Sequence, residues 1–83
     1  MDMIKLGQTI LLRRKLLKIS QAQLAAANGM SRATISALEN GRLAELGIRK
    51  VLAICATLGL TLELVEVAQR PTLRDLIKEN NRA

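Results

Sequence analysis

Apolar residues recur at helical spacing in the first part of the chain. Leu6, Ile10 and Leu17 are four and seven positions apart, which places them on one face of an α-helix. Arg14 falls on the same face, where a charged side chain is unusual. The pattern therefore predicts an amphipathic first helix over residues 4–18 with one arginine on its apolar side.

The segment after this helix carries the marks of a second helix and a tight turn. Ser20 has the position of an N-cap, and Gln23 three residues later completes a capping box. The short helix QAQLAAA follows and ends at Asn28 and Gly29, because glycine readily takes the left-handed conformation of such a turn. Met30 is expected to fill the corner beneath the turn.

The third helix is marked at both ends. Ser31 is the expected N-cap, residues 32–40 form the helix, and Gly41 ends it. Ile35 and Leu38 are expected to face the core. The side chains between them are small or polar, so little of this helix is suited to packing.

A fourth helix is predicted by Ile48, Val51, Leu52 and Cys55, which repeat at i, i+3, i+4 and i+7. Gly59 is its expected terminator. These four helices give an all-α domain.

The hydrophobic period changes in LTLELVEV, residues 60–67, where apolar and polar residues alternate as in a β-strand. The alternative, a continuation of the fourth helix, is disfavoured by Gly59. A lone strand leaves its backbone groups unpaired, so its expected partner is the same strand of a second chain, antiparallel about a two-fold axis. The residues assigned to this dimer strand are Leu60, Leu62, Leu64 and Val65.

The last residues predict a short fifth helix. Pro71 closes the strand segment, and Thr72 with Asp75 begins the helix TLRDLIKEN. Its apolar stripe is a possible partner contact, and the alternative is a frayed tail packed on the dimer. The stripe consists of Leu73, Leu76 and Ile77. The predicted organisation is thus residues 1–59 as the helical domain, 60–69 as the dimerisation strand and 70–83 as the C-terminal segment.

Composition excludes several classes of function. The 83 residues contain no histidine, no aromatic residue and a single cysteine, Cys55. The chain therefore lacks the side chains needed for a metal site, for histidine-based catalysis and for stacking on single-stranded nucleic acid. We expect neither an enzyme nor a cofactor. The N-terminus is not typical of a targeting peptide and no apolar run could span a membrane, so a cytoplasmic protein is expected.

The positive charge is concentrated in the first half of the chain. The formal net charge is +6. Residues 1–42 hold seven basic and two acidic groups, a net +5, whereas residues 43–83 hold six basic and five acidic groups, a net +1. A polyanionic partner is therefore expected to meet the first half.

The order helix, glycine turn, helix with small exposed side chains is that of a helix-turn-helix, whose second helix enters the major groove of DNA. That groove is about 12 Å wide, so small side chains are needed for the backbone to come close. We therefore expect base contacts from the start of the third helix, with Arg32 suited to guanine and Ala33 to a thymine methyl. The expected base-contacting residues are Ser31, Arg32, Ala33 and Ser36.

The motif around these helices resembles that of the Xre/Cro repressor family, SQxxLAxxxGxSxxTISxxENG. The resemblance covers residues 6–60, and the matching residues are Ser20, Gln21, Leu24, Ala25, Gly29, Ser31, Thr34, Ile35, Ser36, Glu39, Asn40 and Gly41. It implies contacts to DNA phosphates, in which Gln21 is aided by the free N–H groups at its helix start. The residues implied are Gln21, Thr34, Asn40 and Arg42.

The resemblance also explains the arginine of the first helix. It implies a semi-buried structural ion pair between Arg14 and Glu39. The other basic residues of this region, Arg13, Lys15 and Lys18, are more simply interpreted as a solvated helix face that attracts DNA at long range.

A helix-turn-helix body followed by one dimer strand further resembles the HipB-like antitoxins. This implies a homodimer on palindromic double-stranded operator DNA, with two recognition helices about 34–36 Å apart, and a HipA-like kinase toxin as partner. No membrane or small-molecule substrate is expected. Two alternatives stay open: a stand-alone repressor without a toxin, and a dimeric adaptor that does not read DNA.

Overall fold

A computed structural model describes residues 2–67 of the protein and contains four α-helices in that range. The order of elements agrees with the sequence pattern, although the first helix ends two residues earlier than expected. The predicted helix over residues 72–80, with Leu73, Leu76 and Ile77, lies outside the described residues. The helices are α1 (Met3–Leu16), α2 (Gln21–Ala27), α3 (Arg32–Glu39) and α4 (Ile48–Thr57).

Side-chain caps fix where α2 and α3 begin. The Ser20 hydroxyl accepts the Gln23 N–H at 3.0 Å, and the Gln23 side chain accepts the Ser20 N–H at 2.8 Å, which completes the predicted capping box. Ser31 likewise accepts the N–H of Thr34 at 3.1 Å. Between the two helices Gly29 has a φ of +61°, the left-handed conformation that the turn requires. The bend between α2 and α3 is therefore set by local chemistry.

The core is formed where all four helices meet. Six large side chains are fully buried, and every helix or its immediate end contributes at least one of them. Removing this apolar surface from water is the main favourable term holding the helices together. The six are Ile10, Leu24, Ile35, Leu38, Ile54 and Leu58.

The buried face of α4 differs from the face expected from the sequence. Ile48 and Leu52 are 59% and 46% exposed, whereas Ile54 and Leu58 are fully buried. The helix is rotated so that the stripe beginning at Val51 faces the core. Ile48 and Leu52 therefore form an apolar strip at the domain surface.

Gly7 allows α1 to approach the C-terminal end of α3 closely. A Cβ atom at this position would overlap the backbone carbonyl oxygen of Leu38. Nothing in the local sequence pattern distinguished this glycine from an ordinary helical residue. It is a contact point between two helices, and no side chain fits there.

Residues 60–67 leave the helical domain without continuing α4. α4 ends at Thr57 and Gly59 has a φ of +70°, so the alternative of a longer fourth helix is wrong. Leu60 and Leu62 pack partly buried against the core, while Leu64 and Val65 are 98% and 77% exposed. Neither helix nor strand is assigned to 60–67 in the single chain. A strand that pairs across a dimer therefore stays a prediction.

None of the helices formed by residues 2–67 has both the length and the apolar character needed to cross a bilayer.

Candidate nucleic-acid interface

The N-terminal turn of α3 presents small side chains and one cation to solvent. Ser31, Arg32 and Ala33 are exposed, and Ser36 one turn later is partly exposed. Opposite them Ile35 and Leu38 anchor the helix in the core. These four outward residues, the expected base contacts, thus share a surface on which Arg32 is the one long side chain among small ones.

Two hydrogen bonds hold the polar side chains of this surface in place. The hydroxyls of Ser31 and Thr34 are 2.8 Å apart, and the Asn40 amide donates to the Ser36 hydroxyl at 3.3 Å. Each bond joins residues three or four apart, which are neighbours on a helix. Side chains that are already held in place lose less conformational entropy on binding a ligand than freely rotating ones do.

The two arginines that flank α3 remain open to solvent. Arg32 and Arg42 are exposed, and no hydrogen bond or ion pair from any other residue in 2–67 engages their guanidinium groups. A guanidinium offers five donors in a planar fork, which suits both guanine edges and phosphate. One cation with unused donors therefore lies at the first residue of α3, and another lies three residues after its last.

A buried ion pair ties α3 to α1. Arg14 Nε lies 2.7 Å from Glu39 Oε2, and Arg14 Nη2 lies 2.9 Å from Glu39 Oε1, a bidentate arrangement. The side chains of Arg14 and Glu39 are 10% and 1% exposed. Arg14 Nη1 also donates to the Ile19 carbonyl oxygen at 2.9 Å, so the same guanidinium holds the link between α1 and α2. Three helices are thus oriented around one charge pair.

Gln21 joins this network from the start of α2. Its Nε2 donates to Glu39 Oε1 at 2.9 Å, which places Gln21 beside the C-terminal end of α3. Asn40 and Arg42 follow that end directly. Three of the four expected phosphate contacts therefore lie near one another, whereas Thr34 lies in the first turn of α3.

The network perturbs the acid–base behaviour of both partners. Burial alone would raise the pKa of Glu39, but hydrogen bonds from Arg14 and Gln21 outweigh it and hold this pKa below its ordinary value. The hydrogen bond with Glu39 raises the pKa of Arg14 despite its burial. Both groups are therefore charged at neutral pH.

We expect this pair to make the fold sensitive to acid. A depressed pKa in the folded state means that the stabilisation is present above the ordinary pKa of glutamate, about 4.3, and is lost as pH falls through the lower folded value. Thermal melts followed by circular dichroism between pH 7 and 2 should show a falling Tm below about pH 4.3. Glu39→Gln should have a lower Tm at pH 7 and a weaker acid dependence. An unchanged acid dependence would show that other carboxylates cause it.

Two structural contacts were missed by sequence reasoning. Arg13 Nε donates to the Leu58 carbonyl oxygen at 2.8 Å, which satisfies an end group of α4, so its interpretation as part of a solvated face is wrong. Asn28 Nδ2 donates to the Leu24 carbonyl oxygen at 2.9 Å and to Thr57 Oγ1 at 3.2 Å. The Arg13–Leu58 and Asn28–Thr57 bonds link α4 to earlier helices, and neither has a local sequence pattern that would reveal it.

Comparison with known proteins gives one family match. A family model described as helix-turn-helix matches residues 10–65, which include α2, α3 and α4 entirely and the second half of α1. No curated protein matches the chain. The matched range covers the capped α2–turn–α3 unit and the Arg14–Glu39 pair that orients it.

Proposed function

Because the chain belongs to the Xre/lambda-repressor-like helix-turn-helix family and is a DNA-binding transcription regulator, we propose that it represses transcription by placing α3 in an operator. The main support for this proposal is the composition of the solvent-exposed face of α3. Small side chains surround the exposed Arg32 there, and the ends of the helix are fixed by Ser31 and by the buried Glu39. A helix held in this way can approach base edges without bulky side chains in between.

The proposed contacts divide into two groups. Ser31, Arg32, Ala33 and Ser36 contact base edges, with Arg32 donating to O6 and N7 of a guanine. The phosphate contacts position the helix without reading sequence. For Gln21, one Nε2 hydrogen is used by Glu39, and the second can serve a phosphate oxygen. The other proposed phosphate contacts are Thr34, Asn40 and Arg42.

We further propose that the protein acts as a homodimer joined through residues 60–67. Within residues 2–67 the backbone of 61–67 makes no hydrogen bond, so its donors and acceptors are available to a second strand. The exposed Leu64 and Val65 provide apolar surface for the same contact. A two-fold dimer would set two α3 helices about one DNA turn apart, 34–36 Å, on a palindromic site.

The most specific proposal is that this dimer is an antitoxin that represses its own operon and binds a HipA-like kinase toxin. The proposal is supported by the order of three parts along the chain. A helix-turn-helix domain comes first, a segment suited to dimer pairing follows, and an amphipathic segment comes last. Leu73, Leu76 and Ile77 are the proposed toxin contacts. Such a regulator would act on chromosomal DNA in the cytoplasm.

Purification of the tagged protein from its native host tests the partner proposal. We expect a kinase-sized protein to co-purify at fixed stoichiometry, and the complex to bind DNA from the gene's own promoter. Deletion of residues 70–83 should remove the partner while DNA binding remains. A homodimer that binds the promoter without a partner would contradict the antitoxin role and favour a stand-alone repressor. Absence of DNA binding in the intact dimer would favour an adaptor.

A further inference from the structure

An apolar groove lies between the start of α1 and the start of α4. Its volume is about 310 Å³, and its walls include Leu6, Ile48, Val51 and Leu62. Ile48 is 59% exposed at the rim, so the wall presents apolar surface to water. Apolar surface of this kind gains free energy when another apolar group covers it.

The C-terminal part of the chain begins at this groove. Leu62 forms part of the wall, and residues 63–71 connect it to the amphipathic segment 72–80. Nine extended residues span up to about 30 Å. α4 is only about 15 Å long, since ten helical residues rise 1.5 Å each. The segment can therefore reach any part of the groove of its own domain.

One charged edge of the segment complements the charge at the α1 side of the groove. On a helix, Asp75 and Glu79 would lie along one edge of the stripe formed by Leu73, Leu76 and Ile77, and Arg74 and Lys78 along the other. The groove has the carboxylate of Asp2 at its α1 side. The basic edge of the segment therefore suits the α1 side of the groove.

We propose that residues 72–80 dock as an amphipathic helix in the groove of their own domain, with the apolar stripe against Leu6, Ile48, Val51 and Leu62. This intramolecular contact goes beyond the proposed function and does not depend on DNA binding. Should a toxin also use Leu73, Leu76 and Ile77, the groove and the toxin would compete for one set of side chains. Partner binding would then expose the groove.

Disulfide trapping in the full-length chain tests the docking. The variant Ile48→Cys with Leu76→Cys, in a Cys55→Ala background, places one thiol on the rim and one in the stripe. A disulfide forms only when the two Cα atoms come within about 7 Å. We expect a disulfide within one chain under mild oxidation, at least tenfold more abundant than in the matched control Leu12→Cys with Leu76→Cys. Leu12 is 68% exposed on the face of α1 away from the core.

Methyl NMR of the full-length chain gives a second readout. Leu73→Ser with Leu76→Ser should shift the methyl resonances of Leu6, Val51 and Leu62 but leave those of Leu24 unchanged. Two results would overturn the proposal. One is a disulfide between chains whose yield rises with protein concentration, since the occupant would then be a second copy. The other is trapping at the control level together with unchanged groove resonances.

Discussion

Replacement of Arg14 by alanine is expected to unfold the domain and to abolish DNA binding as a consequence. Removal of the guanidinium leaves the Glu39 carboxylate buried with Gln21 as its remaining side-chain partner and also removes the donor to the Ile19 carbonyl. Stranding a buried charge costs about 3–5 kcal/mol. The stability of a chain of this length starts at about 4 kcal/mol. Small domains lie toward that marginal end, so a loss of this size is enough to unfold this one. Circular dichroism with thermal and urea denaturation measures the loss.

The neighbouring position provides the control for Arg14→Ala. Lys15 is exposed on α1, and Lys15→Ala should change the free energy of unfolding by less than about 0.5 kcal/mol. The double variant Arg14→Met with Glu39→Leu should recover much of the stability, because apolar residues can replace a buried pair at little cost. A single Arg14→Ala variant that kept the wild-type Tm would refute the structural role of the pair.

Replacement of Gly7 by alanine is expected to destabilise the protein, although alanine is the better helix former. Helix propensity alone favours alanine over glycine by about 1 kcal/mol. Here the added Cβ would overlap the carbonyl oxygen of Leu38 and lie 2.9 Å from its carbon, so α1 and α3 would have to separate. Overpacking of this kind costs about 1–3 kcal/mol. We therefore expect a lower urea midpoint with a similar m-value.

Gly47 is the matched control for Gly7. Nothing lies within 4 Å of a Cβ atom built at Gly47, and its φ of −56° suits any residue. Gly47→Ala should be nearly neutral, because a weaker N-cap is offset by the lower entropy of the unfolded chain. A Gly7→Ala variant that is more stable than wild type would mean that the close approach of α1 to α3 is absent in solution.

The local features of this fold could be predicted from the sequence because short-range chemistry produces them. Ser20, Ser31 and Gly29 act within three or four residues of their own positions, so caps and the turn follow from residue type and spacing. The helices flanking the turn therefore needed no tertiary information. The closeness of Arg14 and Glu39 came only from the family resemblance, because 25 residues separate the two.

The rotation of α4 could not be decided from periodicity. The expected stripe of Ile48, Val51, Leu52 and Cys55 has the same spacing as the observed stripe of Val51, Ile54, Cys55 and Leu58. The two stripes overlap, and the helical pattern fits either of them. Only packing against α1 and α2 selects the second.

Contacts between residues far apart in the sequence could not be predicted from local patterns either. The Arg13–Leu58 and Asn28–Thr57 hydrogen bonds join positions 45 and 29 residues apart. Arg13 lies in a basic run and Asn28 lies in a turn. Both settings have common local explanations, so nothing in the local sequence indicated these hydrogen bonds. The overlap at Gly7 is of the same kind, since its partner is the backbone of α3.

Binding to promoter DNA by wild type, Arg32→Ala and Lys15→Ala tests most directly whether α3 reads sequence. Each is titrated against the gene's own promoter duplex and a shuffled duplex at several salt concentrations. For wild type we predict preference for the promoter and an affinity that falls with salt by about 0.9 log units per log unit for each phosphate neutralised. Arg32→Ala should weaken promoter binding by the dimer by about 30- to 20,000-fold, because each half-site loses one guanine contact worth about 1–3 kcal/mol, with much less effect on the shuffled duplex. Lys15→Ala should retain the preference. Equal affinity of wild type for both duplexes, or an Arg32→Ala variant indistinguishable from Lys15→Ala, would contradict sequence reading by α3.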